Sequence, residues 1–182
     1  MMRKSLFIAV LWTAALAAAS QAFAQAQDSG EPNGLAQMQL TDAQIQQYLD
    51  AAPEVEAAMS AAPPSNSDAP DAKTVAKLED VAKKHKFANY GEFDAVAGNI
   101  MLVLEGVDPE SKKYVGAEAE LKKEMASVQV NKQISAEDKK SELAELANEL
   151  KAVTPIKFKS NIDLVLKYYD KIAATQDQEQ KQ

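Results

Sequence analysis

Apolar residues return every three or four positions through most of the stretch from Thr41 to Ala174, and that period belongs to the α-helix. Only six glycines occur in 182 residues, and no run alternates apolar and polar residues for long. Alanine, leucine, lysine and glutamate fill the periodic segments, and all of them suit helix better than strand. The expected architecture is an all-α bundle of about six helices, with a proline-kinked N-terminal helix tethered to it by a linker.

Caps and breakers divide the bundle. Thr41 followed by Gln44 has the form of a capping box, ahead of an apolar face of Ile45, Tyr48, Leu49, Ala52, Val55 and Met59. Pro53 is expected to end or kink this helix. Ser60–Pro70, "SAAPPSNSDAP", reads as a linker. Asp71 caps a helix with Val75, Leu78, Val81 and His85 on one side, and Asn89 caps another that runs from Tyr90 to about Glu105. Asp108-Pro109 has the form of a cap with a first-turn proline, ahead of Tyr114, Ala117, Leu121, Met125 and Val128. Ser135 with Asp138 opens a helix whose inner residues are Leu143, Leu146, Leu150 and Val153, and Pro155 stops it. The last helix starts near Lys157 and is expected to bury Phe158, Ile162, Val165, Tyr169 and Ile172. Residues 71–174 form the expected bundle, residues 40–59 the tethered helix, and residues 175–182 a disordered polar tail.

The N-terminus carries an address. Arg3 and Lys4 precede an apolar run from Leu6 to Ala19, and Ala22-Phe23-Ala24 supplies the small-x-small pattern of a cleavage site. Residues 1–24 therefore read as a secretory signal peptide cut after Ala24, and residues 25–39 as a flexible leader. The apolar run is too short to span a hydrocarbon core of roughly 30 Å comfortably. Losing Arg3 and Lys4 moves the net charge from −7 to −9. Such a surface repels nucleic acid and anionic lipid. The chain has no cysteine, which suits a helical periplasmic protein better than a disulfide-stapled one.

Within the bundle, "NIMLVLEGVD" (Asn99–Asp108) and "NIDLVLKYYD" (Asn161–Asp170) share six of ten positions. Duplication and convergence on one amphipathic solution both account for this. The shared residues are mostly apolar, so the expected role of the repeat is architectural. "NYGEFDAVAGNIMLVLEGVDPESKKYVG" together with "PIKFKSNIDLVLKYYDK" resembles a group of small exported helical proteins of alphaproteobacteria; the resemblance implies a location and a fold, and no activity. "LTDAQ" at Leu40–Gln44 resembles one copy of the LTxxQ motif of Spy-type periplasmic chaperones, which usually carry it twice.

Catalytic and cofactor chemistry finds little to work with. His85 is the single histidine, set among Lys83, Lys84 and Lys86 at the edge of a buried stripe, which suits a boundary residue. One histidine without cysteine gives no zinc or haem signature. Glu142, Glu145 and Glu149 lie opposite the leucine face and read as a solvated stripe. "DPESKKYVGAEAE" fails as a calcium loop, because lysines hold its fifth and sixth places and Ala119 its twelfth. No catalytic residue, metal site or cofactor is expected. Tyr168 and Tyr169 stand about 100° apart on a helix, so one of them should reach a groove rim. With Tyr48 and Leu49 they make the candidate partner-binding surface. The expected function is a non-catalytic periplasmic role in protein binding or envelope maintenance; a bundle carrying a small apolar ligand and an enzyme of unknown type are the alternatives.

Overall fold

The computed structural model describes residues 36–62 and 70–179, with side chains as far as Gln176. The expected signal peptide, most of the leader, positions 63–69 of the linker and the last three residues lie outside the described part. Six helices make the described chain 71% helical. They are α1 (Asp42–Ser60), α2 (Ala72–Lys84), α3 (Tyr90–Leu104), α4 (Ala117–Val130), α5 (Ala136–Ala152) and α6 (Ser160–Glu179). Between α3 and α4 lies a small antiparallel hairpin of β1 (Val107–Asp108) and β2 (Lys113–Tyr114), pairing Val107 with Tyr114 and Asp108 with Lys113.

Four caps act as their residue types require. Thr41 accepts from the Gln44 amide while the Gln44 side chain accepts from the Thr41 amide, which closes the capping box. Asp71, Asn89 and Ser135 each accept from amides in the first turns of α2, α3 and α5. α1 runs unbroken through Pro53, whose ring is exposed. α6 continues to Glu179, so residues 175–179, expected in the tail, are helical. Gln176 there donates from Nε2 to Met101 Sδ at 3.3 Å.

Asp108-Pro109 opens a turn instead of a helix. Asp108 Oδ1 accepts from the amides of Glu110 at 2.9 Å and Ser111 at 2.8 Å, and Lys112 N–H donates to the Asp108 carbonyl at 2.8 Å. Lys112 takes a positive φ of 54°, which reverses the chain into β2. An Asx residue before proline satisfies a turn as well as a helix start, and here the turn prevails. α4 begins eight residues later, behind Gly116 at φ 96°, with no side-chain cap.

The core is built by α1, α2, α3 and α6, and α1 packs against the other three. Ile45 and Ala51 of α1 are fully enclosed, together with Ile100 and Val96 of α3 and Val165 and Ile172 of α6. The helix expected to join the bundle through a linker packs on it, with Tyr48 buried and Leu49 against the core, and it touches all three of the other core helices. The buried faces differ in detail from the sequence stripes: Met59 and Val75 are exposed, while Ala58, Thr74 and Tyr168 are buried. The peripheral unit is the α4–α5 pair, whose strongest packing is mutual. It buries only Val128 and Leu146, and neither joins the main core.

Candidate functional site

Residues 36–39, the end of the expected flexible leader, and Leu40, expected to open the N-terminal helix segment, form an extended strap held between the first turns of the two repeated segments. Met38 N–H donates to Asn99 Oδ1 at 2.9 Å, and Asn99 Nδ2 donates to the Ala36 carbonyl at 3.2 Å. One register further on, Leu40 N–H donates to Asn161 Oδ1 at 2.9 Å, and Asn161 Nδ2 donates to the Met38 carbonyl at 2.8 Å. These four main-chain groups belong to alternate residues of an extended chain and so lie on one of its edges. Two side-chain amides satisfy these four groups.

Asn99 and Asn161 are the first residues of the two copies, and they do the same chemical work. Asn99 also donates to the Ala95 carbonyl one turn back at 2.9 Å, so both of its amide hydrogens are used. The two side chains are almost fully buried, at 2% and 3% exposure. A buried amide without partners is costly, so the groove demands polar main chain opposite it. A third amide joins in: Gln37 Nε2 donates to the Pro155 carbonyl and Gln37 Oε1 accepts from Lys157 N–H, each at 2.9 Å. The Leu40 side chain is buried in the core, and Met38 is half-buried against it.

The four residues expected to form a partner surface do not make one exposed patch. Tyr48 is buried, its ring stacked on Phe93 at 5.7 Å, and Phe93 also meets Phe87 edge-on and Tyr90 face-on. Tyr168 is buried too; its hydroxyl donates to Asp42 at 2.8 Å and accepts from Gln46 Nε2 at 3.1 Å. Lys167 pairs with the same Asp42, and these two bonds hold its carboxyl below the usual carboxylate range. Leu49 and Tyr169 are half-buried against the core. The tyrosines therefore fasten α1 to α3 and α6.

A polar cleft of about 270 Å³ opens between α1 and the end of α2, lined by Gln46, Gln47, Asp50, Lys84, His85 and Lys86. Its histidine is engaged, with Nε2 3.1 Å from Glu54 Oε1, and Lys84 bonds the same carboxylate at 2.7 Å. Lys86 stands at φ 69° just past α2, where the Phe87 amide reaches back to the Ala82 carbonyl. This is a Schellman-type stop with lysine in the place glycine usually takes.

In the glutamate stripe of α5, Glu145 and Glu149 are exposed, as expected, and Glu142 is half-buried. Partial burial and the charges of Glu149, Glu142 and Glu120 raise the Glu124 carboxyl on α4. Desolvation by the neighbouring protein and the charge of Glu149 likewise raise the carboxyl of Glu105, the exposed C-cap residue of α3. Among the described residues, no group of three or more histidine, cysteine or acidic side chains is placed to hold a metal ion, and no helix is long and apolar enough to cross a membrane.

The asparagine pair was the signal that sequence reasoning passed over. A polar residue repeated at the head of two apolar helices invites the question of what it bonds. Comparison with family models, with curated proteins and with solved structures found no match to this chain.

Proposed function

We propose that the chain is a non-catalytic, exported protein whose task is to bind polypeptide in the periplasm. The observation that carries this reading is the kind of chemistry concentrated in the groove. Two side-chain amides, from Asn99 and Asn161, are both directed at main-chain groups of residues 36–40. Amides hold; they neither take up a proton at neutral pH nor attack a carbonyl. The signal-like N-terminus supports export, as does the resemblance to small exported helical proteins of alphaproteobacteria. The acidic surface favours protein over phosphate-bearing partners.

The test uses the processed protein as bait in periplasmic extract, with each captured polypeptide purified and its direct binding measured. The reading expects at least one polypeptide to bind the isolated protein saturably. Enrichment of none over an unrelated acidic helical bait would contradict it. N-terminal sequencing of the exported form checks the location, with Gln25 expected first.

A further inference from the structure

We propose that the groove between α3 and α6 is a binding site for an extended polypeptide segment bearing apolar side chains two residues apart. The chain's own Ala36–Leu40 occupies this site until such a segment displaces it. The inference rests on the protein-binding reading above and names the partner's chemistry.

Asn99 and Asn161 bond the strap only through the carbonyls of Ala36 and Met38 and the amides of Met38 and Leu40. Every polypeptide in extended form presents the same groups at the same spacing, so these bonds carry no sequence information. Selection comes from two places: the buried seat of Leu40 and the half-buried seat of Met38, which an extended chain fills with side chains at positions i and i+2. Both asparagines are almost wholly buried with the strap in place. A segment that covers them without main-chain groups to offer leaves buried amides unpaired, which is costly. That cost disfavours small apolar molecules and favours an unpaired extended segment.

What protects the site is the tether. Leu40 is joined to α1 through its N-cap Thr41 alone, so the strap acts at an effective concentration on the order of millimolar, against which a free peptide competes. Only Gln37 adds a bond that depends on side-chain identity, to Pro155 and Lys157. Weakening the strap's own seats should therefore open the groove without altering it.

The experiment is fluorescence anisotropy with a labelled seven-residue peptide of the sequence Gly34–Leu40 and the full processed chain. The probe is titrated against the wild type, against Gln37→Ala with Leu40→Ala, and against that variant carrying Asn161→Ala as well. The proposal expects the weakened-strap variant to bind the peptide at least about ten-fold more tightly than the wild type, and Asn161→Ala to reverse the gain. A peptide N-methylated at the Met38 and Leu40 amides keeps its side chains but loses both donors, and should not bind. If the double variant fails to fold, Gln37→Ala alone carries the same comparison. Absence of binding to every variant at about 1 mM peptide, or binding indifferent to N-methylation, would overturn the proposal. Should the protein still capture periplasmic polypeptides when the peptide fails, the groove is excluded and the protein-binding reading stands on another surface.

Discussion

At the scale of single residues, the asparagines do more than fill space. Truncating Asn161 to alanine strands the Leu40 amide and the Met38 carbonyl in a buried place. Each such group costs about 1–3 kcal/mol, so a loss of about 2–4 kcal/mol is expected in urea unfolding, with the slope unchanged. Asn161→Asp separates the two bonds. The carboxylate still accepts from Leu40 but opposes the Met38 carbonyl, whereas the protonated acid can donate to it. This variant should therefore recover part of its deficit as pH falls below about 4, a recovery that Asn161→Ala cannot show. Lys86 gives the opposite sign. Its φ of 69° strains an exposed residue that carries a Cβ, so Lys86→Gly should stabilise the protein. The gain is about 1 kcal/mol at most, because glycine also loosens the unfolded chain. A fall in melting temperature would show that Lys86 has a role beyond ending α2.

At the scale of elements, the helix starts at Thr41, Asp71, Asn89 and Ser135 are legible because one side-chain acceptor does one job at each. Asp108-Pro109 is ambiguous because the same acceptor serves turns, and what decides there is remote in sequence. The Gly106 carbonyl accepts from both Val115 and Gly116. A Cβ on Gly106 would lie 2.4 Å from the Tyr114 ring and 2.9 Å from the Ala117 amide. Gly106→Ala should therefore spread the hairpin and loosen the entry to α4, costing about 1–3 kcal/mol. A wild-type melting curve for that variant would mean the close approach is not needed. The α4–α5 pair should in turn be the first part to open, since it adds only Val128 and Leu146 to the buried set. Its glutamates contribute. Glu124 titrates above the ordinary carboxylate value of 4.5, so the folded state binds its proton more tightly than the unfolded chain does. That stability is present at low pH and is lost as pH rises through the folded pKa. Glu124→Gln should accordingly slow amide exchange in α4 and α5 at pH 7, with the advantage over wild type fading below about pH 4.5. An advantage independent of pH would implicate packing instead of charge.

At the scale of the whole molecule, the helical class follows from periodicity alone, but the arrangement of the helices does not. Proline and serine after α1 mark a linker, and the apolar face of α1 implies that it packs on the bundle, as the burial of Ile45, Tyr48 and Ala51 shows. Its contact with α2, α3 and α6 at once was not legible, because chain connectivity says little about which faces match. The strap was illegible for a related reason. Residues 36–40 have no periodicity of their own, and their order comes from side chains 61 to 123 residues away. The two faces of the repeat act together: apolar residues such as Val103 and Val165 build the core, and Asn99 and Asn161 close it over the strap. Asp108 in β1 ties the turn to Lys123 of α4. Bonds from Lys123 and the turn amides hold its carboxyl at about 2, so their contribution persists above the ordinary value of 3.8 and disappears as pH falls from there toward 2.

The central claim is that the end of the leader is part of the folded core through two buried asparagines. Residue-resolved native-state hydrogen exchange of the processed protein tests it most directly. The amides of Met38 and Leu40 should be protected far above the rate of an unstructured chain, less than Ile100–Leu104 because the strap opens without the core, and Asn161→Ala should release Leu40 first. Exchange of Met38 and Leu40 at the rate of an unstructured chain, while Ile100–Leu104 stays protected, would contradict it.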